Sequence, residues 1–118
     1  MNVETAREYC LSKKGATESF PFDDVSLVIK VMDKMFALID LEKANSITLK
    51  CAPERATELR EHYSGIEGAY HFNKKHWNGV YFDSDVDDKL IKELIDHSYD
   101  EVIKKFTKKL RTEYDALS

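Results

Sequence analysis

Basic residues are in the minority: 18 lysines and arginines against 22 aspartates and glutamates leave a formal net charge of −4. No global positive field is therefore available to hold a phosphate backbone, and a nucleic-acid role has to rest on a local patch. Proline and glycine are scarce, two and four residues, which excludes a low-complexity linker or a disordered tail. No apolar run approaches the ~18 residues that a bilayer span requires, and Met1 to Lys14 has a charged helical pattern in place of a secretory apolar segment. A cytoplasmic setting without a membrane partner is the expectation. The two cysteines, Cys10 and Cys51, occupy positions where an apolar residue would sit, which predicts buried free thiols and neither a disulfide nor a metal site. Nucleophile elbow, phosphate-binding glycine loop and dinucleotide fingerprint are all missing from the sequence, so no cofactor is expected and catalysis would have to come from residues gathered in space. The 118 residues suit one domain, 1–118.

What is present is a legible succession of elements. Val3, Ala6 and Cys10 recur at helical spacing, and Gly15 after two lysines predicts a helix from about Val3 to Lys14. Val25, Leu27, Ile29 and Val31 alternate with Ser26 and Lys30, which is strand periodicity. A turn at Asp33 and Lys34, a second strand from Met35 to Asp40, a charged loop and a third strand from Ser46 to Cys51 complete an antiparallel meander. Ser26, Lys30, Thr48 and Lys50 would share its wetter face. Pro53 suits a helix first turn, with Ala56, Leu59 and Tyr63 as the buried stripe. Strands from Ala69 to Phe72 and from Trp77 to Phe82, joined by Asn73 to His76, predict a hairpin. Ser84 with Asp87, and Ser98 with Glu101, read as two capping boxes, each opening a helix. Strands grouped by hairpins with helices apart from them predict an α+β fold in the order α, three β, α, two β, α, α.

In this order the landmarks resemble the MmcQ/YjbR family of small bacterial proteins. They are Gly15-Ala16, Glu18, Phe20 to Phe22, Lys34 to Ala37, Leu49-Lys50, Pro53-Glu54, His71, Asn73-Lys74, His76-Trp77 and Ser98-Tyr99. Asp23 and Asp33 stand where that family often has glycine, and aspartate keeps the turn chemistry. The resemblance implies a mostly antiparallel sheet backed by helices, similar to type III secretion chaperones. It also implies a DNA-binding role, by likeness to a double-wing DNA-binding domain; that is an analogy of fold. It implies no reaction, cofactor or catalytic residue.

The stretch from Gly68 to Phe82 concentrates two histidines, two lysines, two asparagines, the only tryptophan and four other aromatics. Asn73, Lys74, Lys75, His76 and Trp77 offer donors for phosphates and a ring for stacking. The same residues also read as a core anchor, Trp77, behind a solubilised hairpin tip. Lys34 and Lys50, with His71 and Lys75, would make an anion site, or one of the lysines would be held internally by Glu18. Lys104, Lys105, Lys108, Lys109 and Arg111 read as a solvated helix face. Asp83, Asp85 and Asp87 imitate a calcium loop but lack its glycine and its bidentate glutamate, and read as helix caps. His71 and His76 lack partners for zinc. Two roles stay open: DNA binding through the 68–82 hairpin and the sheet face, or protein interaction with a peptide or a second copy.

Overall fold

The computed structural model describes residues 1–69 and 72–117. Its elements are α1 (Val3–Leu11), β1 (Ala16–Ser19), β2 (Ser26–Val31), β3 (Lys34–Asp40), β4 (Ser46–Lys50), α2 (Pro53–His62), β5 (Ile66–Gly68), β6 (Trp77–Tyr81), α3 (Asp88–Ile103) and α4 (Lys108–Asp115). All strand pairs are antiparallel and form one six-stranded sheet, ordered β1-β2-β3-β4-β6-β5.

The period-2 pattern decides which face is buried. Leu27 pairs with Ile39, Ile29 with Ala37, Ile47 with Val80, and Ile66 with Val80. Residues paired across strands share a face, and these side chains join Ala6 and Cys10 of α1 and Ile91, Leu94 and Ile95 of α3 in a single core. Both thiols are free and buried, and burial pushes Cys10 up to about 12 and Cys51 up to about 11, well away from reactive thiolate. No helix residue lines the groove on the opposite face of the sheet. Among the described residues, no helix is long and apolar enough to cross a membrane.

Three local differences from the sequence-based expectation have physical causes. Strand β1 has no counterpart among the expected elements because Ala16 to Ser19 are an edge segment with almost no burial, so no apolar alternation marks it. The β2–β3 turn is Met32-Asp33, one residue earlier than expected, with φ of 49° and 64°. Positive φ at both central residues is the hairpin geometry that matches strand twist; Asp33 tolerates it, and Met32 is held there by the strands on either side. The first strand of the last hairpin is Ile66–Gly68; of the expected span Ala69 to Phe72, Tyr70 and His71 lie outside the described residues.

The largest correction concerns Ser98. No helix starts there: α3 runs unbroken through it, and the break falls at Thr107, whose side chain accepts from Leu110 N and caps α4. Ser98 is fully buried, its Oγ donating to Phe36 O at 2.5 Å and accepting from Lys50 N at 2.9 Å. The regular β3–β4 ladder covers Ala37 with Leu49 and Leu38 with Thr48. One residue beyond, next to the register shift at Ile29/Lys30, the serine hydroxyl bridges the two strands. Of the three aspartates read as caps, Asp87 alone caps α3, accepting from Leu90 N. Asp85 instead accepts from Ser64 N at 2.9 Å and Gly65 N at 2.8 Å and closes the α2–β5 turn.

Candidate functional site

The uncovered sheet face is laid out in rows by the strand register. One end row carries Lys30, paired with Met35, and Lys50, paired with Trp77. The opposite end carries Ser26 with Asp40 and Ser46 with Tyr81. The lysine row continues under the α3–α4 connection, which wraps around that end of the sheet. Together they enclose an open cleft of about 860 Å³. Among the described residues, Lys30, Lys34, Lys50, Lys105 and Lys109 line it, against Asp33 and Glu113 as the carboxylates, while Trp77, Met35 and Phe106 supply apolar wall. Lys30 reaches Asp33 at 3.6 Å, a loose contact because Asp33 is almost wholly in solvent. Among the described residues no ion pair is formed by Lys34, Lys50, Lys105 or Lys109. Lys50 is the most informative of these: burial, then Lys105 and Lys104, depress its pKa against the opposing pull of Glu101. A half-buried ammonium that faces other ammoniums gains from an anionic ligand.

Of the sequence-derived candidates, Lys34, Lys50 and Trp77 meet in this cleft. Asn73, Lys74 and Lys75 do not line it; they form the exposed β5–β6 connection, where Asn73 Oδ1 accepts from Lys75 N at 3.0 Å. His76 is half-buried, and its carbonyl accepts from Cys51 N at 2.7 Å, extending the β4–β6 ladder. His71 lies outside the described residues. The pairing considered for Glu18 goes elsewhere: Arg7 of α1 holds it through two bonds, Nε to Oε2 at 2.7 Å and Nη2 to Oε1 at 2.6 Å, so both lysines stay available.

Sequence reasoning placed Lys30 with Lys50 on the wetter sheet face but missed Lys105 and Lys109 as members of the same group. Lys105 and Lys109 read as part of a single solvated ridge only if the last helix is continuous; the break at Thr107 turns them toward the sheet end. Lys104 and Arg111 leave the group, paired with Glu101 at 2.6 Å and Asp115 at 3.4 Å. Arg60 of α2 was missed as well. Its Nη1 donates to Asn78 Oδ1 at 2.8 Å and to Lys74 O at 3.0 Å, tying the hairpin connection to the helix.

A second groove, of about 540 Å³, occupies the opposite end of the same face, between Phe22 and Phe72 with Leu38, Asp23, Asp40 and Glu67 among its lining. Phe22, in its lining, is 65% exposed, and Phe20, two residues before it in the chain, is 48% exposed. The sheet face is thus basic at one end and acidic and aromatic at the other.

Behind the basic end, His97 Nε2 accepts from Ala52 N at 3.1 Å and takes the place of the side-chain cap that α2 lacks. Only the neutral ring can do this. Burial first, then Arg55 and Lys104, lower the His97 pKa, with Glu101 and Asp100 opposing. The unfolded chain, titrating near pH ~6.5, then binds more protons than the folded one below that pH. The contribution is complete above the unfolded value and is lost as pH falls through the lower folded value. Stability is therefore expected to decline on acidification below about pH 6.5. In His97→Gln, whose amide oxygen can still accept from Ala52, this part of the pH dependence should vanish. Urea unfolding from pH 7.5 to 5, with an NMR titration of the His97 ring, checks it; a His97 that titrates like a free histidine would refute it.

Among the described residues no group of three or more histidine, cysteine, aspartate and glutamate side chains is placed to hold a metal ion. The YjbR family model matches residues 11–101. The chain is 36% identical to the uncharacterised protein YjbR of Escherichia coli K12 over 104 residues, 87% of this chain and 88% of that one. It is 32% identical to the uncharacterised protein YbdF of Escherichia coli O157:H7 over 101 residues, 85% and 83% of the two chains. The crystal structure of Deinococcus radiodurans protein DR2400, domain DUF419, superposes with a TM-score of 0.88 at 41% identity, covering 96% of this chain and 87% of that one. A crystal structure from Pseudomonas syringae gives 0.69 at 31% identity, over 83% and 96%. With the family match across both the sheet and α3, and relatives aligned over most of their length, this chain belongs to the YjbR family.

Proposed function

We propose that the chain binds nucleic acid through the basic end of its open sheet face, with the β5–β6 hairpin at the rim. The observation that carries this reading is charge segregation: a molecule of net charge −4 gathers Lys30, Lys34, Lys50, Lys105 and Lys109 around one cleft with two carboxylates. Five lysines outnumber the two carboxylates of the cleft, and a surface with such a local excess of positive charge is suited to a polyanion. Lys74 and Lys75 lie outside the cleft, exposed on the β5–β6 connection.

Lys34→Ala, Lys105→Ala and Lys109→Ala together should weaken binding and flatten the salt dependence, by about 0.7–0.9 in the log–log slope for each phosphate no longer neutralised. These lysines are surface groups, so stability should change little. The Lys74→Ala, Lys75→Ala pair should show a smaller effect of the same kind. Anisotropy at several salt concentrations is the measurement. Absence of binding by the unmodified protein at low salt up to about 100 μM, weaker than the ~10⁻⁴ to 10⁻⁶ M of ordinary non-specific binders, would end this reading.

A second reading is favoured by the exposed Phe20 and Phe22 beside the acidic groove: a protein-interaction surface. Its complexes would be nearly indifferent to salt and sensitive to Phe22→Ser, because an apolar contact has few counterions to release.

A further inference from the structure

We infer that the basic cleft is built for a single strand, with one unpaired base stacked on Trp77 at the end of the row while the phosphates that follow it lie along Lys50 and the other lysines of the cleft. This rests on the nucleic-acid reading above and narrows it. A duplex keeps its base faces inside the stack, so it can offer this surface phosphates and groove edges only. An unpaired base also offers a planar face, and an aromatic ring beside a cationic track is the arrangement that uses it. Trp77 has both neighbours required. It is paired directly with Lys50 across β4 and β6. Its ring is half-buried on the open face, backed by Phe72 with centroids 5.5 Å apart and planes 37° from parallel, so the indole is held in place without being sealed off.

The shape argues the same way. Reading a major groove requires a helix or a two-stranded ribbon that protrudes into it. Here the end of α3, the start of α4 and the β2–β3 turn form walls, and the lysines and the indole line the concavity between them. The row Lys30, Met35, Lys50 and Trp77 crosses four neighbouring strands, β2, β3, β4 and β6, and so runs at least about 14 Å at the usual strand spacing, with the Ser98 bridge widening the β3–β4 step. That is a track for an extended backbone. The recognised chemistry is an unpaired base between phosphates, whether from DNA or from RNA.

Trp77 is the only tryptophan, so its fluorescence reports on this one ring in the unmodified protein. At low salt, oligo(dT) and oligo(U) of about 10 nucleotides, within the ~4–16-nucleotide site sizes known for single-strand binding by OB folds, would be titrated beside a blunt-ended, fully paired G·C-rich duplex without loops or overhangs, compared per phosphate. Both single strands should quench the indole saturably at least tenfold below the concentration at which the duplex does. If only one of them does, the source of the base is settled in the same experiment. In Trp77→Leu, single-strand affinity measured by anisotropy should drop roughly 5- to 150-fold, and duplex affinity should hardly move. Duplex binding as tight as single-strand binding, or single-strand binding by anisotropy with unaltered indole emission, overturns the inference and leaves the basic-cleft reading intact. Failure of all three ligands to bind by anisotropy overturns both.

Discussion

Ser98→Ala is expected to lower stability by about 2–4 kcal/mol, because the buried Phe36 O and the part-buried Lys50 N lose their partner at once, the fully buried group costing up to about 3 kcal/mol and the part-buried one about 1 kcal/mol. Phe36 O and Lys50 N are held by the one hydroxyl at the place where the β3–β4 ladder ends, and water cannot substitute for it at a residue with no exposure. For a chain of this size the Tm should drop by roughly 8–15 °C. An exposed N-cap serine would cost only about 1 kcal/mol and would be replaced well by aspartate. The two roles separate on Ser98→Asp: in the interior of α3 a carboxylate would face the Phe36 carbonyl, acceptor against acceptor, with no cation to neutralise it. Thermal and urea unfolding of both variants decide between them. Near-native stability of Ser98→Asp would show that the hydroxyl does not bridge the strands. Because the bridged residue on β4 is Lys50, Ser98→Ala should also loosen the floor of the basic cleft.

Arg60→Ala should cost about 1–3 kcal/mol and release the hairpin connection. The guanidinium satisfies Asn78 Oδ1 and Lys74 O together, while Asn78, only 2% exposed, uses its Nδ2 on Ala56 O at 3.3 Å. Removing Arg60 leaves a buried amide oxygen without a donor and frees the carbonyl that anchors the Asn73 to His76 turn. Hydrogen exchange at Lys75 and His76 should accelerate well beyond the change seen in the core strands. Arg60→Lys should rescue little, since a single ammonium on a flexible stem cannot span two acceptors as the planar fork does. Full rescue by lysine, or a loss of less than about 0.5 kcal/mol in the alanine variant, would mean that the connection is held by its own turn.

The residues of the candidate site were legible individually and not as a group. Lys34, Lys50 and Trp77 stand out in the sequence and the strand pattern sets Lys30 on the same face as Lys50, but Trp77 meets them only because β4 and β6 are neighbours, and Lys105 and Lys109 only because the chain turns at Thr107. A capping signal is a short pattern, serine three residues before glutamate, and it occurs equally well in the middle of a helix when the serine has a tertiary partner. Ser98 is such a case: the pattern pointed to a helix start, and the packing of α3 against the sheet made it a strand bridge. The edge strand β1 escaped notice for the opposite reason, since its pairing is made by backbone groups that leave no mark on side-chain choice.

By itself the sequence determined what periodicity and local chemistry can encode. That covers the alternation of β2, β3 and β4, the apolar stripes of α1 and α3, the turn at Asp33, the buried thiols and the α+β class, because each depends on residues within a few positions of one another. Tertiary structure decided what depends on distant segments meeting: the strand order, the continuity of α3, the Arg60 anchor, and the gathering of five lysines beside one indole in an acidic protein. Those contacts join residues far apart in the chain, and no local spacing records them.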